Sequence, residues 1–242
     1  MEEFSAQEAV SLFIEAYVHL ERAVLPGTRL IHVGGLPCVQ FPDRQGKISH
    51  EIIAHGVSPA EIAARIQASS PGLPHWLTLL TAAPQDDLTA LERSGYRLRD
   101  REMMMTRSIE PGNLPPTDAR VRQVSEPAQV KAINKARGKR MLHPDELADP
   151  RMQICCFELD GRMRAWGSAL LIRPDTVYIA NMFTLSKFRC QGLAQAVLST
   201  LLALSAGRGA RRSLLVSSQA GMALYHGMGY QDFLSCLVFD VV

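Results

Sequence analysis

Two periodicities organise the apolar residues of this chain. Val10, Phe13, Ile14, Tyr17, Val18 and Leu20 share one face at helical spacing, which predicts an amphipathic helix. Ser5 and Glu8 precede it at capping-box spacing, and Pro26-Gly27 stops it. Short alternating runs at residues 29–33 and 37–41 predict strands, with Asp43-Arg44-Gln45-Gly46 as a hairpin-like turn after them. Ser58 is placed as an N-cap with Pro59 at the first helical position, so a second helix begins there. A strand at 77–80, a helix at 88–94 ended by Gly95, and a strand at 102–108 follow.

Between Glu110 and Thr117 the periodicity disappears and Pro and Gly concentrate. This divides the chain into expected domains of residues 1–112 and 113–242. The second half opens with a strand at 119–124. Ser125 is the expected N-cap of a helix carrying Ala128, Val130, Ile133 and Ala136. Strands at 152–159 and 162–172 are joined by Asp160-Gly161, a two-residue hairpin signal. A strand at 176–185 follows through Arg173-Pro174-Asp175. Residues 191–206 form a helix with Val197, Leu198, Leu201, Leu202 and Leu204, ended by Gly207 and Gly209. A strand at 212–217, a helix at 221–226 and a strand at 233–241 complete the chain. The order β-α-β-β-β-α-β-α-β predicts an α+β fold, a mixed and mostly antiparallel sheet flanked by helices.

The 242 residues are 47% hydrophobic and 21% charged, enough for one large domain or two small ones. A net charge of +2 offers no broad basic surface, so nucleic acid is not an expected partner. The run Lys135-Ala136-Arg137-Gly138-Lys139-Arg140 reads as a solvated face. The five cysteines are odd in number, irregularly spaced and lack a Cys-x-x-Cys pair. That speaks against a disulfide framework or zinc site, and no metal is expected. The start Met1-Glu2-Glu3-Phe4 is acidic and polar rather than a secretory signal. No apolar run approaches the roughly 20 residues of a membrane span. A cytoplasmic protein without a membrane partner is expected.

One stretch carries candidate chemistry. Ser186-Lys187-Phe188-Arg189-Cys190-Gln191-Gly192-Leu193-Ala194 lies between an apolar strand and a long helix. Amides in the first helical turn lack internal partners, and the helix dipole adds partial positive charge. Such a turn suits a pyrophosphate, with Gly192 and Ala194 small enough for close approach. Arg189 would fix the turn or touch a phosphate. An ordinary β–α turn shares this pattern, so its neighbours decide its meaning.

With those neighbours the chain resembles the GNAT acyltransferase superfamily over roughly residues 117–242. Arg189-Cys190-Gln191-Gly192-Leu193-Ala194 is similar to that family's phosphate loop, Arg/Gln-x-x-Gly-x-Gly/Ala. The stretch from Ser217-Ser218 through Leu224-Tyr225 to Gly229-Tyr230 is similar to its later signature. The resemblance implies transfer of an acetyl or short acyl group from acyl-CoA to a primary amine. It implies that Arg189, Cys190, Gln191, Gly192, Leu193 and Ala194 bind the CoA pyrophosphate. Phe183, Thr184 and Leu185 would hold the pantetheine arm, Ser218 would also touch acetyl-CoA, and Tyr225 would protonate the departing thiolate. The expected acceptor is a small-molecule or peptide amine, and a homodimer is left open.

No general base is evident. The strand at 176–185 has no carboxylate after Asp175, and its central polar residue is Asn181, which could only orient a water. Glu158, Asp160 and His143 are other candidates, each read more simply as a surface or hairpin residue. Cys190 has no partner signalling a nucleophile. An acyl-CoA-binding sensor or interaction module without catalysis is the alternative. In the first half, residues 88–96 resemble 222–230, both ending in Gly-Tyr, with Leu91 standing where Tyr225 stands. No phosphate-loop pattern occurs there, so the first half is expected to keep part of the fold without the chemistry.

Overall fold

The computed structural model describes residues 4–43 and 45–242. Met1, Glu2, Glu3 and Arg44, which belong to the expected N-terminal stretch and hairpin turn, lie outside the described residues. In chain order the elements begin with helix α1 (Ala6–Val24), strands β1 (Arg29–Val33), β2 (Leu36–Pro42) and β3 (Ile48–His55), and α2 (Pro59–Ser69). Strand β4 (Trp76–Thr81), α3 (Pro84–Arg93) and β5 (Tyr96–Ser108) come next. Then follow β6 (Val121–Gln123), α4 (Pro127–Arg137), β7 (Met152–Leu159), β8 (Arg162–Arg173) and β9 (Thr176–Thr184). The chain ends with α5 (Leu193–Gly207), β10 (Arg212–Ser218), α6 (Gln219–Gly227) and β11 (Gln231–Val241).

The chain forms two compact units. One contains the described residues up to Met105 with Val216–Met222 and Asp232–Val242. Its strands β1, β2 and β3 pair antiparallel in sequence order, β3 pairs parallel with β4, and β4 pairs antiparallel with β11. The last strand of the chain thus completes the sheet of the first. Alternation along the strands sends Cys38, Ile52, Ala54, Leu77, Leu79, Leu237 and Phe239 into one core with Ile62 and Ile66 of α2 and Leu88 and Leu91 of α3. Each fully buried aliphatic side chain contributes roughly 1.5–3 kcal/mol. Tyr17 of α1 meets Phe41 edge-on, and Phe41 stacks on Trp76.

The second unit contains Thr106–Leu215 and Ala223–Gln231. Here β6, β7, β8 and β9 pair antiparallel in sequence order, and β9 pairs parallel with β10. Asp160 and Gly161 both have positive φ, 52° and 66°, the twist a two-residue hairpin between β7 and β8 requires. Val197, Leu198, Leu201 and Leu202 of α5 are completely buried. Both halves of the chain repeat the order β-β-β-α-β-α-β, from β1 to β5 and from β7 to β11, with the parallel pair after the third strand. The observed fold is the mixed, mostly antiparallel sheet with flanking helices that the patterning predicts.

Several local expectations change; α3 begins at Pro84 and β5 at Tyr96, four and six residues before the expected starts. Residues 48–55 form β3, although His50 and Glu51 interrupt the apolar run there. Glu126, not Ser125, caps α4, because Pro127 takes the first helical position; Gln129 Oε1 accepts from the amides of Ser125 and Glu126 at 2.9 and 3.0 Å. Helix α5 begins at Leu193, since Gly192 ahead of it is left-handed, with φ 78°.

Candidate functional site

The site is built where β9 leaves its neighbours. Ala180 pairs with Ser168 and Phe183 with Trp166, so Asn181 and Met182 share the space opposite Gly167. This is a bulge, and Asn181 takes φ 56° to form it. Gly167 is required there: a Cβ on it would overlap Met182 Sδ and press on Leu201 of α5. Asn181 Nδ2 donates to Ser168 Oγ at 3.2 Å. On its other edge β9 pairs with β10 only from Thr176 to Tyr178. Beyond Tyr178 that edge carries no ladder to β10, and its amides and carbonyls can receive an extended ligand as an added strand.

The turn after β9 presents a row of amides. A 3-10 turn at Ser186–Phe188 closes with Phe188 N–H on the Leu185 carbonyl at 2.8 Å. Arg189 Nε donates to the Thr184 carbonyl at 3.3 Å, so this arginine braces the turn. Cys190 and Gly192 are both left-handed, at φ 57° and 78°. The first helical bond of α5 runs from Ala196 N–H to the Gly192 carbonyl, 3.0 Å. Among the described residues, the amides of Cys190, Gln191, Gly192, Leu193, Ala194 and Gln195 therefore have no main-chain acceptor, and no acidic side chain stands in the first turn. Successive amides alternating through left-handed residues form an anion-binding concavity, reinforced by the helix dipole. A groove of about 440 Å³ flanks this end of α5, lined by Pro115, Pro116, Thr117, Gly192, Gln195 and Ser199 among others.

Tyr225 of α6 belongs to the same unit and is only 7% exposed. Burial pushes its phenol up to about 12. No described group is hydrogen-bonded to its hydroxyl, whereas the hydroxyl of the neighbouring Tyr230 is held by Ser213 Oγ at 2.6 Å. Phe183, Thr184, Leu185, the residues from Arg189 to Ala194, and Tyr225 thus share one unit, and Ser218 falls in the other, exposed. The candidate bases have structural tasks. His143 Nδ1 accepts from the Asp145 amide at 3.3 Å in a 3-10 cap, Asp160 forms the hairpin turn, and Glu158 lies in the same hairpin.

The charged run 135–140 is not wholly a solvated face. Arg137 is half-buried with its guanidinium 4.1 Å over the ring of Phe183. Arg164 lies likewise over Phe188 at 4.4 Å, and Trp166 meets Phe183 at 5.1 Å. Periodicity could not single these residues out; only the register of β8 against β9 assembles them.

Among its described residues the first unit lacks the corresponding features. Its parallel pair, β3 and β4, stays in register over five positions to His55 and Leu80, and no residue of β3 has positive φ. Ser58 Oγ and Pro59 already occupy the start of α2. Leu91, at the place of Tyr225, is wholly buried in the core. Gly95 and Gly229 both have positive φ, and the tyrosine after each is buried.

Residues 120–230 match the sequence model of the acetyltransferase (GNAT) family. This segment is similar to the GNAT acetyltransferases, and the chain as a whole carries a GNAT-like fold. A GCN5-related N-acetyltransferase from Kribbella flavida is similar over 96% of this chain and 95% of its own, with a TM-score of 0.67 and 17% identity. A tandem GNAT protein from the clavulanic acid biosynthesis pathway is similar over 97% and 95%, with a TM-score of 0.55 and 9% identity. A GCN5-related N-acetyltransferase from Sphaerobacter thermophilus covers 84% of this chain and 75% of its own, with a TM-score of 0.57 and 16% identity. No curated protein matches the sequence. No helix among the described residues is long and apolar enough to cross a membrane.

Proposed function

We propose that this protein moves an acetyl or short acyl group from acyl-CoA to a primary amine by direct attack. The observation that carries this reading is the row of free amides from Cys190 to Gln195 beside the unpaired edge of β9. An elongated ligand with a diphosphate at one end and amides along its arm fits that pairing. Acetyl-CoA supplies the activated thioester, whose C–S bond breaks as the amine nitrogen bonds to the carbonyl carbon. The amides of residues 190–195 hold the diphosphate, and the β9 edge at Phe183, Thr184 and Leu185 aligns the arm. Tyr225 donates its phenolic proton to the departing thiolate sulfur, a role that suits a buried hydroxyl without another partner. Asn181 orients the water that carries the amine's proton away. Each chain has one such site in a cytoplasmic enzyme, with the first unit as support.

The test is calorimetry with acetyl-CoA, followed by a thiol-release assay over an amine panel with Tyr225→Phe in parallel. Binding near one equivalent per chain with turnover abolished or strongly reduced in the variant is the expected result. Absence of acetyl-CoA binding overturns the reading. The lack of a carboxylate on β9 beyond Asp175 favours a second reading, a non-catalytic acyl-CoA sensor. Tight binding without turnover on any amine would support it.

A further inference from the structure

We infer that the acceptor amine carries a carboxylate and that Arg137 and Arg164 bind it. The inference rests on the acyl-transfer reading and names the substrate class of that site. Both arginines are half-buried, and the Nε of each is shielded from solvent without a hydrogen-bond partner. Among the described residues neither pairs with an acidic side chain. A guanidinium held so, with its planar fork free, is matched to a carboxylate by two parallel N–H···O bonds. The rings beneath them hold the arginines in place: Phe183 under Arg137 at 4.1 Å and Phe188 under Arg164 at 4.4 Å.

The position favours the acceptor over acyl-CoA. A Cβ on Gly167 would point at Leu201 of α5, so Gly167 faces α5. Trp166, its neighbour on β8, faces the other way, together with its cross-strand partner Phe183. Arg137 reaches Phe183 from the end of α4 on that same face. The free amides belong to the start of α5. Arg137 thus stands across the sheet from the helix whose amides suit a diphosphate, on the side left for the attacking amine, and Arg164 lies over Phe188 in the turn between them. Asn134 steadies this wall: its Oδ1 accepts from the amides of Met141 and Leu142, and Met141 Sδ receives the Trp166 indole N–H at 3.3 Å.

The experiment compares lysine with cadaverine, phenylalanine with phenethylamine, and leucine with isoamylamine as acceptors in the thiol-release assay. The carboxylate-bearing member of a productive pair is expected to show a kcat/KM higher by about tenfold or more. Arg137→Gln and Arg164→Gln should erase that preference and leave the KM for acetyl-CoA within about twofold, with Arg137→Lys retaining part of it. Equal use of both members, or variants that raise the KM for acetyl-CoA with every amine, overturns the inference while leaving acyl transfer standing. A calorimetric arm titrates each pair onto the protein without acetyl-CoA. Heat from the amino acids alone supports the carboxylate site even if acyl-CoA fails to bind, and no heat from either member overturns it.

Discussion

The ring of Tyr225 meets the ring of Tyr230 edge to face, with 5.6 Å between centroids and 70° between planes. The two phenols have opposite circumstances. Tyr230 is tied to Ser213 at 2.6 Å, and Tyr225 is buried with a hydroxyl bonded to no described group. Tyr225→Phe should therefore lower kcat by about 100-fold or more, with little change in melting temperature or acetyl-CoA affinity. Tyr230→Phe should instead cost about 1–3 kcal/mol of stability, because Ser213 is left buried without its partner. Steady-state kinetics and thermal unfolding of the two variants separate these roles.

The pH profile follows from the same burial. Tyr225 is pushed up to about 12 because the phenolate is poorly solvated. An acid works while protonated, so its contribution is lost only as pH rises through that value. The proposed kcat/KM should rise as the amine loses its proton and then stay level to pH 10. A decline centred below pH 10 in wild type, absent from Tyr225→Phe, would contradict the assignment.

Gly192 gives a test of the amide row. Its φ is 78°, and a Cβ there would meet no atom within 4 Å. Gly192→Ala should thus cost about 1–2 kcal/mol through backbone strain alone, and weaken acetyl-CoA binding by about tenfold as the loop shifts. Gly95 is the control, with φ 84° and equally open surroundings in the first unit. Gly95→Ala should lose similar stability and keep its affinity in calorimetry.

Glu51 predicts how the first unit responds to pH. Its carboxylate accepts from Tyr17 O–H at 2.7 Å and Thr78 O–H at 2.5 Å. Burial nevertheless outweighs these donors and raises it above the usual carboxylate range. A raised carboxyl stabilises the fold fully below its unfolded value, about 4.3, and that contribution disappears as pH rises through the folded value. Wild type should lose stability relative to Glu51→Gln between pH 4 and pH 8 in denaturant unfolding. Glu51→Ala should cost about 3 kcal/mol, since it strands buried donors. A wild-type-to-Gln difference flat across this range would overturn the assignment.

The order of helices and strands in the second half was legible because long apolar runs alternate with turn residues, as at Asp160-Gly161 and Gly207. The phosphate-loop pattern was legible because Gly192 and Ala194 are local requirements of a backbone that must lie open. Strand β3 was not, since Glu51 breaks its pattern and is reconciled only by donors from α1 and β4. The Asn181 bulge was not either: its positive φ depends on the register of β8 and on the room Gly167 leaves.

By itself, then, the sequence determined the kinds of element, the repeat of Gly-Tyr before a final strand, and the turn at residues 189–194. These follow from near-neighbour chemistry, which is written in spacing. The tertiary structure alone decided that β11 completes the sheet of the first unit, that β9 and β10 part after Tyr178, and that Arg137 and Arg164 lie over Phe183 and Phe188. Each of these depends on pairing between residues far apart in the chain, and strand register carries no local signature when both faces of a sheet are covered.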